Sequence, residues 1–166
     1  MSDRFCEAYS RKYPDKIVYK QVKEKSYAGI CRNTAIDYPI ECKYMWAIDG
    51  DDYLADNTVL ETLYKHAKSL KYDAIFFNGY KDVDGNLIRL KDRKQIDLND
   101  WEKCDPTYHI CSIVKPECFG RYLEHCMVGQ DLYHSYLTLD SIKTYINLYD
   151  RLYVYRFNPC SVSNRT

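Results

Sequence analysis

Apolar residues recur at helical spacing in four segments of the chain. This spacing indicates α-helices because residues three and four positions apart share one helix face. The predicted helices cover residues 2–13 and 27–36, a segment that follows Thr58 and ends near Leu70, and residues 129–139. Ser26 is a suitable N-cap for the second helix. Thr58 and Glu61 have the spacing of a capping box for the third.

Strands are predicted where β-branched and aromatic residues cluster without helical spacing. They cover residues 16–22, 44–48, 73–80, 87–90, 142–148 and 152–157. The run 44–48 is continuously apolar, which suits a strand covered on both faces, as in a parallel sheet. Asp84-Gly85 indicates a tight hairpin turn, and no element is assigned between residues 91 and 116. The alternation of strands and helices predicts one layered α/β domain over residues 1–166.

Composition narrows the possible functions. Lysine plus arginine equals aspartate plus glutamate at 24 each, which argues against a nucleic-acid binder. The 18 tyrosines could line a sugar or base site, although packing on half-buried strands is the commoner reason for such residues. No run approaches the roughly 20 apolar residues of a membrane span, and the N-terminus lacks the apolar core of a secretion signal. We therefore expect a cytoplasmic protein without a transmembrane segment.

Eight cysteines are expected to stay reduced in that compartment. Cys104, Cys111, Cys118 and Cys126 lie near His109 and His125, which suggests zinc. Six or seven residues separate consecutive cysteines of this set, whereas structural zinc sites use short paired spacings. Buried thiols that pack as small hydrophobic groups are the favoured interpretation.

The strongest local signal is the acidic turn Asp49-Gly50-Asp51-Asp52, directly after the apolar run 44–48. In open α/β sheets, ligands bind at the carboxyl ends of strands. Three adjacent carboxylates repel one another, and a divalent cation relieves that repulsion. Their oxygens suit Mg²⁺ or Mn²⁺, which also hold substrate phosphates. A solvated turn with no ligand is the alternative that this spacing leaves open.

Further motifs surround this turn in a recognisable order. Residues 28–36 contain Cys31-Arg32-Asn33, and residues 43–54 contain the apolar run and the acidic turn. Gly129-Gln130-Asp131 follows, and the chain closes with Tyr-x-Tyr-Arg at 153–156 and Ser-x-Ser at 161–163. Together they resemble inverting, nucleotide-sugar-dependent glycosyltransferases of family 2, over nearly the whole chain. The resemblance implies a GT-A fold, in which helices flank a mixed sheet.

The resemblance also implies site roles. Asp49 and Asp51 would hold the diphosphate of a nucleotide sugar, UDP-linked, through Mn²⁺ or Mg²⁺. Asp51 would be the direct metal ligand, Asp49 would contact the ribose or a metal-bound water, and Asp52 would face the donor sugar. Arg32 would pair with phosphate or carboxylates, or would brace the acidic turn as an ion pair. Asp131 would be the base that accepts the proton of a hydroxyl on a glycan or lipid-linked acceptor, or a helix N-cap.

Two departures from the family pattern qualify this picture. Gln130 stands where the family usually has glutamate. Family members also usually begin with two strands that build the uracil and ribose pocket, whereas Ser2-Asp3 resembles the end of the second strand. We therefore expect an N-terminally truncated sheet with an exposed edge, which invites pairing with another chain, either a second copy in a homo-oligomer or a different partner. His125 and His134 flank the Asp131 region, where packing or surface roles are commoner than catalysis.

Two hypotheses of function follow. The first is an active glycosyltransferase, and the second is a catalytically inactive GT-A remnant that acts as a binding or assembly module. An aspartyl phosphatase is disfavoured because Asp52 and Tyr53 follow Asp51, where that class carries threonine or valine two residues on.

Overall fold

The computed structural model describes residues 2–22, 27–92, 109–126 and 128–159, and it places a mixed β-sheet among helices. The helices are α1 (Ser2–Lys12), α2 (Ala28–Ile36), α3 (Val59–Ala67) and α4 (Gln130–Ser141), with a 3-10 turn at Pro116–Cys118. The strands are β1 (Tyr53–Leu54), β2 (Ala74–Val83), β3 (Asn86–Arg89), β4 (Ser112–Val114) and β5 (Tyr145–Arg156).

Strand β2 is the centre of the sheet. On one side it runs parallel to β5, and on the other it pairs antiparallel with β4 near its start and with β3 at its end. Strand β1 pairs antiparallel with the C-terminal half of β5. The register between β2 and β5 shifts on both sides of Asn78, so β5 is one irregular strand. The prediction of two strands at 142–148 and 152–157 is wrong, because polar residues between the apolar runs do not end the ladder.

The side chains of β2 alternate between two halves of the core. Ile75 and Phe77 pack in the cluster that contains residues of α3, whereas Ala74 and Phe76 pack in the cluster that contains Leu139 of α4. All four β2 side chains are essentially inaccessible to solvent. Burying a large apolar side chain stabilises a fold by roughly 1.5–3 kcal/mol, so β2 is the main anchor between the two helical layers.

Several predicted elements are confirmed. The helices at 2–13, 27–36 and 129–139 correspond to α1, α2 and α4, and the strand at 73–80 is the first part of β2. The hairpin turn is also confirmed: Asp84 and Gly85 have φ of 52° and 86°, the two positive values that a type I′ turn requires.

The strand predicted at 16–22 is wrong. A turn at its start, in which the Ile17 N–H donates to the Tyr13 carbonyl at 2.9 Å, leads into a segment without a ladder partner among the described residues. The β-branched residues of this stretch therefore favour an extended chain without fixing a place in the sheet.

The buried parallel strand predicted at 44–48 is also wrong. This segment makes one antiparallel bridge, between Met45 and Val114, and Ile48 is 48% exposed. Its aromatic side chains explain the apolar run, because the Trp46 Nε1–H donates to the Ile110 carbonyl at 2.6 Å and the ring packs against the core. The run is therefore an edge segment covered on one side.

The capping predictions for two helices also change. Thr58 forms no capping box: both its N–H and its hydroxyl donate to Asp56 Oδ1, at 2.7 and 2.6 Å, and the Thr58 side chain does not cap α3. Leu60 is 64% exposed, and the buried residues of α3 are Val59 and Leu63. Ser26 lies outside the described residues, and the N-cap of α2 is Tyr27.

Two of the described cysteines agree with the prediction of buried thiols that pack as small hydrophobic groups. Cys111 and Cys118 are buried, one in each half of the core, and Cys126 is partly exposed. Cys104 lies outside the described residues. Among the helices of the described ranges, none has the length and apolarity that crossing a bilayer requires.

Asp73, which precedes β2, is expected to couple the stability of the fold to pH. Burial acts to raise its pKa, but hydrogen bonds from Lys115 Nζ and from the N–H groups of Lys143 and Thr144, each at 3.0 Å, outweigh burial and lower the pKa from 3.8 to about 2. The depressed pKa stabilises the fold above about pH 4, and this contribution is lost as pH falls from about 4 to 2.

Urea unfolding of Asp73→Asn at pH 7 should therefore give a free energy of unfolding roughly 2 kcal/mol below wild type. The gap should narrow as pH falls through that window. Asp150→Asn, at an exposed site of β5, is the matched control and should behave as wild type. If the free energy of unfolding depended on pH equally in Asp73→Asn and in wild type, Asp73 would not be the group that couples stability to pH.

Candidate functional site

The acidic turn at 49–52 is fastened to strand β5 through Tyr153. The Tyr153 hydroxyl donates to the Asp52 carboxylate, and the other Asp52 oxygen accepts from the Arg156 N–H at 2.9 Å. The same hydroxyl accepts from the Asp49 N–H at 3.3 Å, and the turn closes from the Asp52 N–H to the Asp49 carbonyl at 3.1 Å. Tyr153 is fully buried, so one core side chain holds both ends of the turn.

Asp52 is consequently a bracing residue of the turn in this structure. Burial raises the pKa of its carboxyl, in spite of the hydrogen bonds that it accepts from Tyr153 and Arg156. Both of its oxygens are engaged within the chain. The remaining two aspartates of the turn are therefore better placed to meet a ligand.

Removing the Tyr153 hydroxyl should loosen this turn. Because the hydroxyl donates to a carboxylate, we expect Tyr153→Phe to lower the free energy of unfolding by about 1.5–3 kcal/mol. Denaturant titration measures the loss, with Tyr149→Phe as the control because Tyr149 is 82% exposed. A Tyr153→Phe variant as stable as the control would show that the hydroxyl does not brace the turn.

Arg32, on α2, brings the acidic turn and the start of α4 together. Its Nη2 forms a direct ion pair with Asp49 Oδ1, and its Nη1 lies 4.0 Å from Asp131 Oδ1. Burial acts to lower the pKa of the guanidinium, but Asp49 more than compensates and raises it. The structure shows Arg32 paired with a carboxylate of the acidic turn, and its role towards phosphate stays a prediction. One cation thus spans carboxylates from sequence positions far apart.

Asp51 occupies the exposed side of the acidic turn and accepts no hydrogen bond from the described residues. Within those residues, no group of three or more His, Cys, Asp or Glu side chains is arranged to hold a metal. Mg²⁺ is commonly bound by only one or two carboxylates, with phosphates and water completing its shell. Asp51, with the 34% exposed Asp49 side chain, fits such a partial site.

Asp131 lies in the first turn of α4, and the alternative that it caps this helix is wrong. The N-cap is Gly129, whose φ of 84° is readily reached by glycine. The Asp131 side chain is 37% exposed, so its carboxylate is accessible to a ligand on the side that Arg32 leaves open.

Of the two histidines near Asp131, His134 is packed in the interior and His125 is exposed. His134 is 1% exposed, its Nδ1 lies 2.6 Å from the Gly120 carbonyl, and its ring stacks on Tyr122 with centroids 4.1 Å apart. Burial lowers the pKa of His134 to about 4, so the ring is neutral at pH 7. His125 meets Tyr27 edge-on, with centroids 6.4 Å apart.

A cavity of about 570 Å³ lies beside Arg32. Its walls include the edge segment 44–48, one face of α2, and the side chains of Phe119 and Tyr122. Most of this lining is apolar, and Arg32 is its charged member. A mainly apolar cleft with a few fixed polar groups is typical of small-molecule sites.

The same architecture occurs in a protein of known structure. S. aureus TarS, residues 1–349 in complex with UDP-GlcNAc, superposes with a TM-score of 0.72 at 16% identity, over 92% of this chain and 46% of TarS 1–349. The chain has the fold of part of TarS 1–349. A complex of TarS 1–349 with UDP gives a TM-score of 0.66 over 92% of this chain and 48% of that one. The predicted GT-A class, a mixed sheet flanked by helices, is thereby confirmed.

Sequence comparison adds a second relative. The minor teichoic acid biosynthesis protein GgaB of Bacillus subtilis (strain 168) is 28% identical over 163 residues, which cover 93% of this chain and 18% of GgaB. No protein-family model matches the chain. The chain therefore spans less than half of TarS 1–349 and about a fifth of GgaB.

Two residues of the site escaped the sequence analysis. Tyr153 lay inside the Tyr-x-Tyr-Arg motif, which marks the strand but not the contact with the acidic turn. Tyr122 carried no local signal, because its partners come from two distant helices. The Ser-x-Ser segment at 161–163 lies outside the described residues.

Proposed function

We propose that the chain belongs to a glycosyltransferase that moves a sugar from a UDP-linked donor to a hydroxyl acceptor with inversion. The observation that carries the proposal is the Arg32 bridge, which brings Asp49 of the acidic turn and Asp131 of α4 to one guanidinium. The TarS fold supports it, since TarS 1–349 forms complexes with UDP-GlcNAc and UDP.

Donor binding is assigned to the exposed part of the turn. Asp51 and Asp49 would share a Mn²⁺ or Mg²⁺ ion with the donor diphosphate, and the ion would neutralise charge that develops on the leaving group. Arg32 adds a fixed positive charge beside this position, and its planar donor fork suits phosphate oxygens as well as carboxylates. Asp52, through Tyr153, keeps the turn in place.

The transfer step needs one base. The acceptor oxygen forms a bond to the anomeric carbon as the bond from that carbon to the diphosphate oxygen breaks, and UDP departs with the electron pair. The acceptor proton passes to the Asp131 carboxylate. A single displacement of this kind inverts the anomeric centre without a covalent enzyme intermediate.

The acceptor class is proposed from GgaB. Because that relative is a minor teichoic acid biosynthesis protein, we propose a hydroxyl on a glycan or lipid-linked polymer. Self-association along the free side of segment 44–48 is a further proposal, since only Met45 of that segment has a ladder partner among the described residues.

Calorimetry with UDP in the presence and absence of Mn²⁺ tests the donor assignment. We expect micromolar binding that depends on the metal, together with UDP release from UDP-GlcNAc when an acceptor is supplied. An absence of UDP binding at millimolar nucleotide would overturn the proposal and favour the inactive assembly module.

A further inference from the structure

Tyr122 has no role in the proposed transfer, although its side chain contacts the site. Its side chain is 3% exposed, and its hydroxyl has no hydrogen-bond partner in the described structure. Burial raises the pKa of this hydroxyl, so it stays neutral. The aromatic ring, by contrast, makes two close contacts. Arg32 Cζ lies 5.0 Å from the ring centroid, and the His134 ring stacks on it.

The ring is held in a fixed relation to α2 by Asn33. The Asn33 amide donates to the Tyr122 carbonyl at 2.9 Å and accepts from the Tyr122 N–H at 2.9 Å, so one side chain satisfies both backbone groups. Asn33 follows Arg32 in the same helix and is 3% exposed. The residue that carries the cation and the residue that fixes the ring are therefore neighbours in sequence.

Close backbone packing keeps these elements in register. A Cβ at Gly29 would lie 2.1 Å from the Leu123 carbonyl oxygen, so α2 touches the backbone of the segment that carries Tyr122. Glycine is the residue that permits such an approach. On its other side this segment meets α4, where the Gly120 N–H donates to Thr138 Oγ1 at 3.0 Å.

A long arginine side chain has much rotamer freedom, and its placement between two carboxylates must be maintained. The faces of aromatic rings attract guanidinium groups, and the attraction grows when the pair is shielded from water. Arg32 is 19% exposed at its side chain, so the ring replaces water on part of the guanidinium surface.

We propose that Tyr122 is a positioning residue whose ring holds the Arg32 guanidinium between Asp49 and Asp131. Its kinetic consequence rests on the function proposed above, whereas its effect on Arg32 does not. The ring performs this role and the hydroxyl does not, so Tyr122→Phe should preserve it and Tyr122→Leu should remove it.

Nuclear magnetic resonance of the arginine side chains tests the positioning without any ligand. We expect relaxation measurements to find the Arg32 guanidinium rigid in wild type and Tyr122→Phe, and mobile in Tyr122→Leu. An Arg32 side chain as rigid in the leucine variant as in wild type would overturn the proposal. Tyr122→Met, which fills similar space with a flexible chain, replaces it if Tyr122→Leu does not fold.

A double-mutant cycle tests the consequence for the donor. Tyr122→Leu should raise the KM for UDP-GlcNAc about 2- to 30-fold, the range of a cation–π contact, with little change in kcat. In an Arg32→Ala background the same substitution should have no further effect on KM. An equal rise in both backgrounds would mean a role independent of Arg32. If wild type turns over no donor, the proposed function fails, and the resonance experiment still decides the role of Tyr122.

Discussion

Asp131→Asn should lower kcat for transfer from UDP-GlcNAc about 10²- to 10⁴-fold, the usual contribution of a positioned general base. Asparagine keeps the shape of the side chain but cannot accept the acceptor proton. The affinity for UDP should change little, because Asp131 is not part of the acidic turn. Its contact with the site is with Arg32, whose Nη1 lies 4.0 Å from Asp131 Oδ1. UDP release under saturating donor measures the effect.

Asp140→Asn is the matched control for this experiment. It makes the same chemical change on the same helix, at an exposed position near the other end of α4, and should leave kcat unaltered. A kcat for Asp131→Asn close to that of the control would show that Asp131 is not the base of the reaction.

Asp51→Asn should abolish the metal dependence of UDP binding. Even outer-shell residues of metal sites are worth about 10- to 100-fold in affinity, so loss of a direct ligand should weaken UDP binding in Mn²⁺ by at least about 100-fold. Asp51 accepts no hydrogen bond in the described structure, so the substitution should leave stability unaffected. Calorimetry gives the affinity and thermal melting gives the stability.

The comparison variant is Asp150→Asn, which removes one exposed carboxylate elsewhere and controls for the change in net charge. Metal-dependent binding that survives in Asp51→Asn would reassign the ligand role to Asp49. In that case Arg32, which pairs with Asp49 Oδ1, would compete with the metal for Asp49, and Arg32→Gln should strengthen Mn²⁺ binding.

The parts of the fold that were predictable are those with local causes. The Asp84-Gly85 turn follows from the positive φ that both positions need, and β2 follows from a compact apolar run. Segment 44–48 was wrongly predicted as a buried parallel strand, because its aromatic side chains pack against the core from the edge of the sheet. The apolar pattern of such an edge segment is the same as that of a central strand. The two-residue strand β1 exists through its partner β5 and has no signal of its own.

The site, too, has a part that the sequence predicted and a part that depends on contacts between distant residues. The resemblance singled out the acidic turn, Arg32 and Asp131, and the fold brings Arg32, Asp49 and Asp131 together. Their roles in binding and transfer stay predictions. The contribution of Tyr153 could not be predicted, because about a hundred residues separate it from the turn that it braces. Long-range hydrogen bonds of this kind depend on the packing of the whole sheet.

Because Tyr153 holds both ends of the acidic turn, we expect ligand affinity to respond to substitutions far from the turn. Tyr153 stands opposite Gly79 of β2 and Leu54 of β1 in the ladder, so any substitution that shifts those strands also shifts the anchor of the turn. Conversely, a ligand that grips the turn should raise the melting temperature by mass action. Mutants weakened only in the interior should therefore bind nucleotide poorly at temperatures where their circular dichroism still looks native.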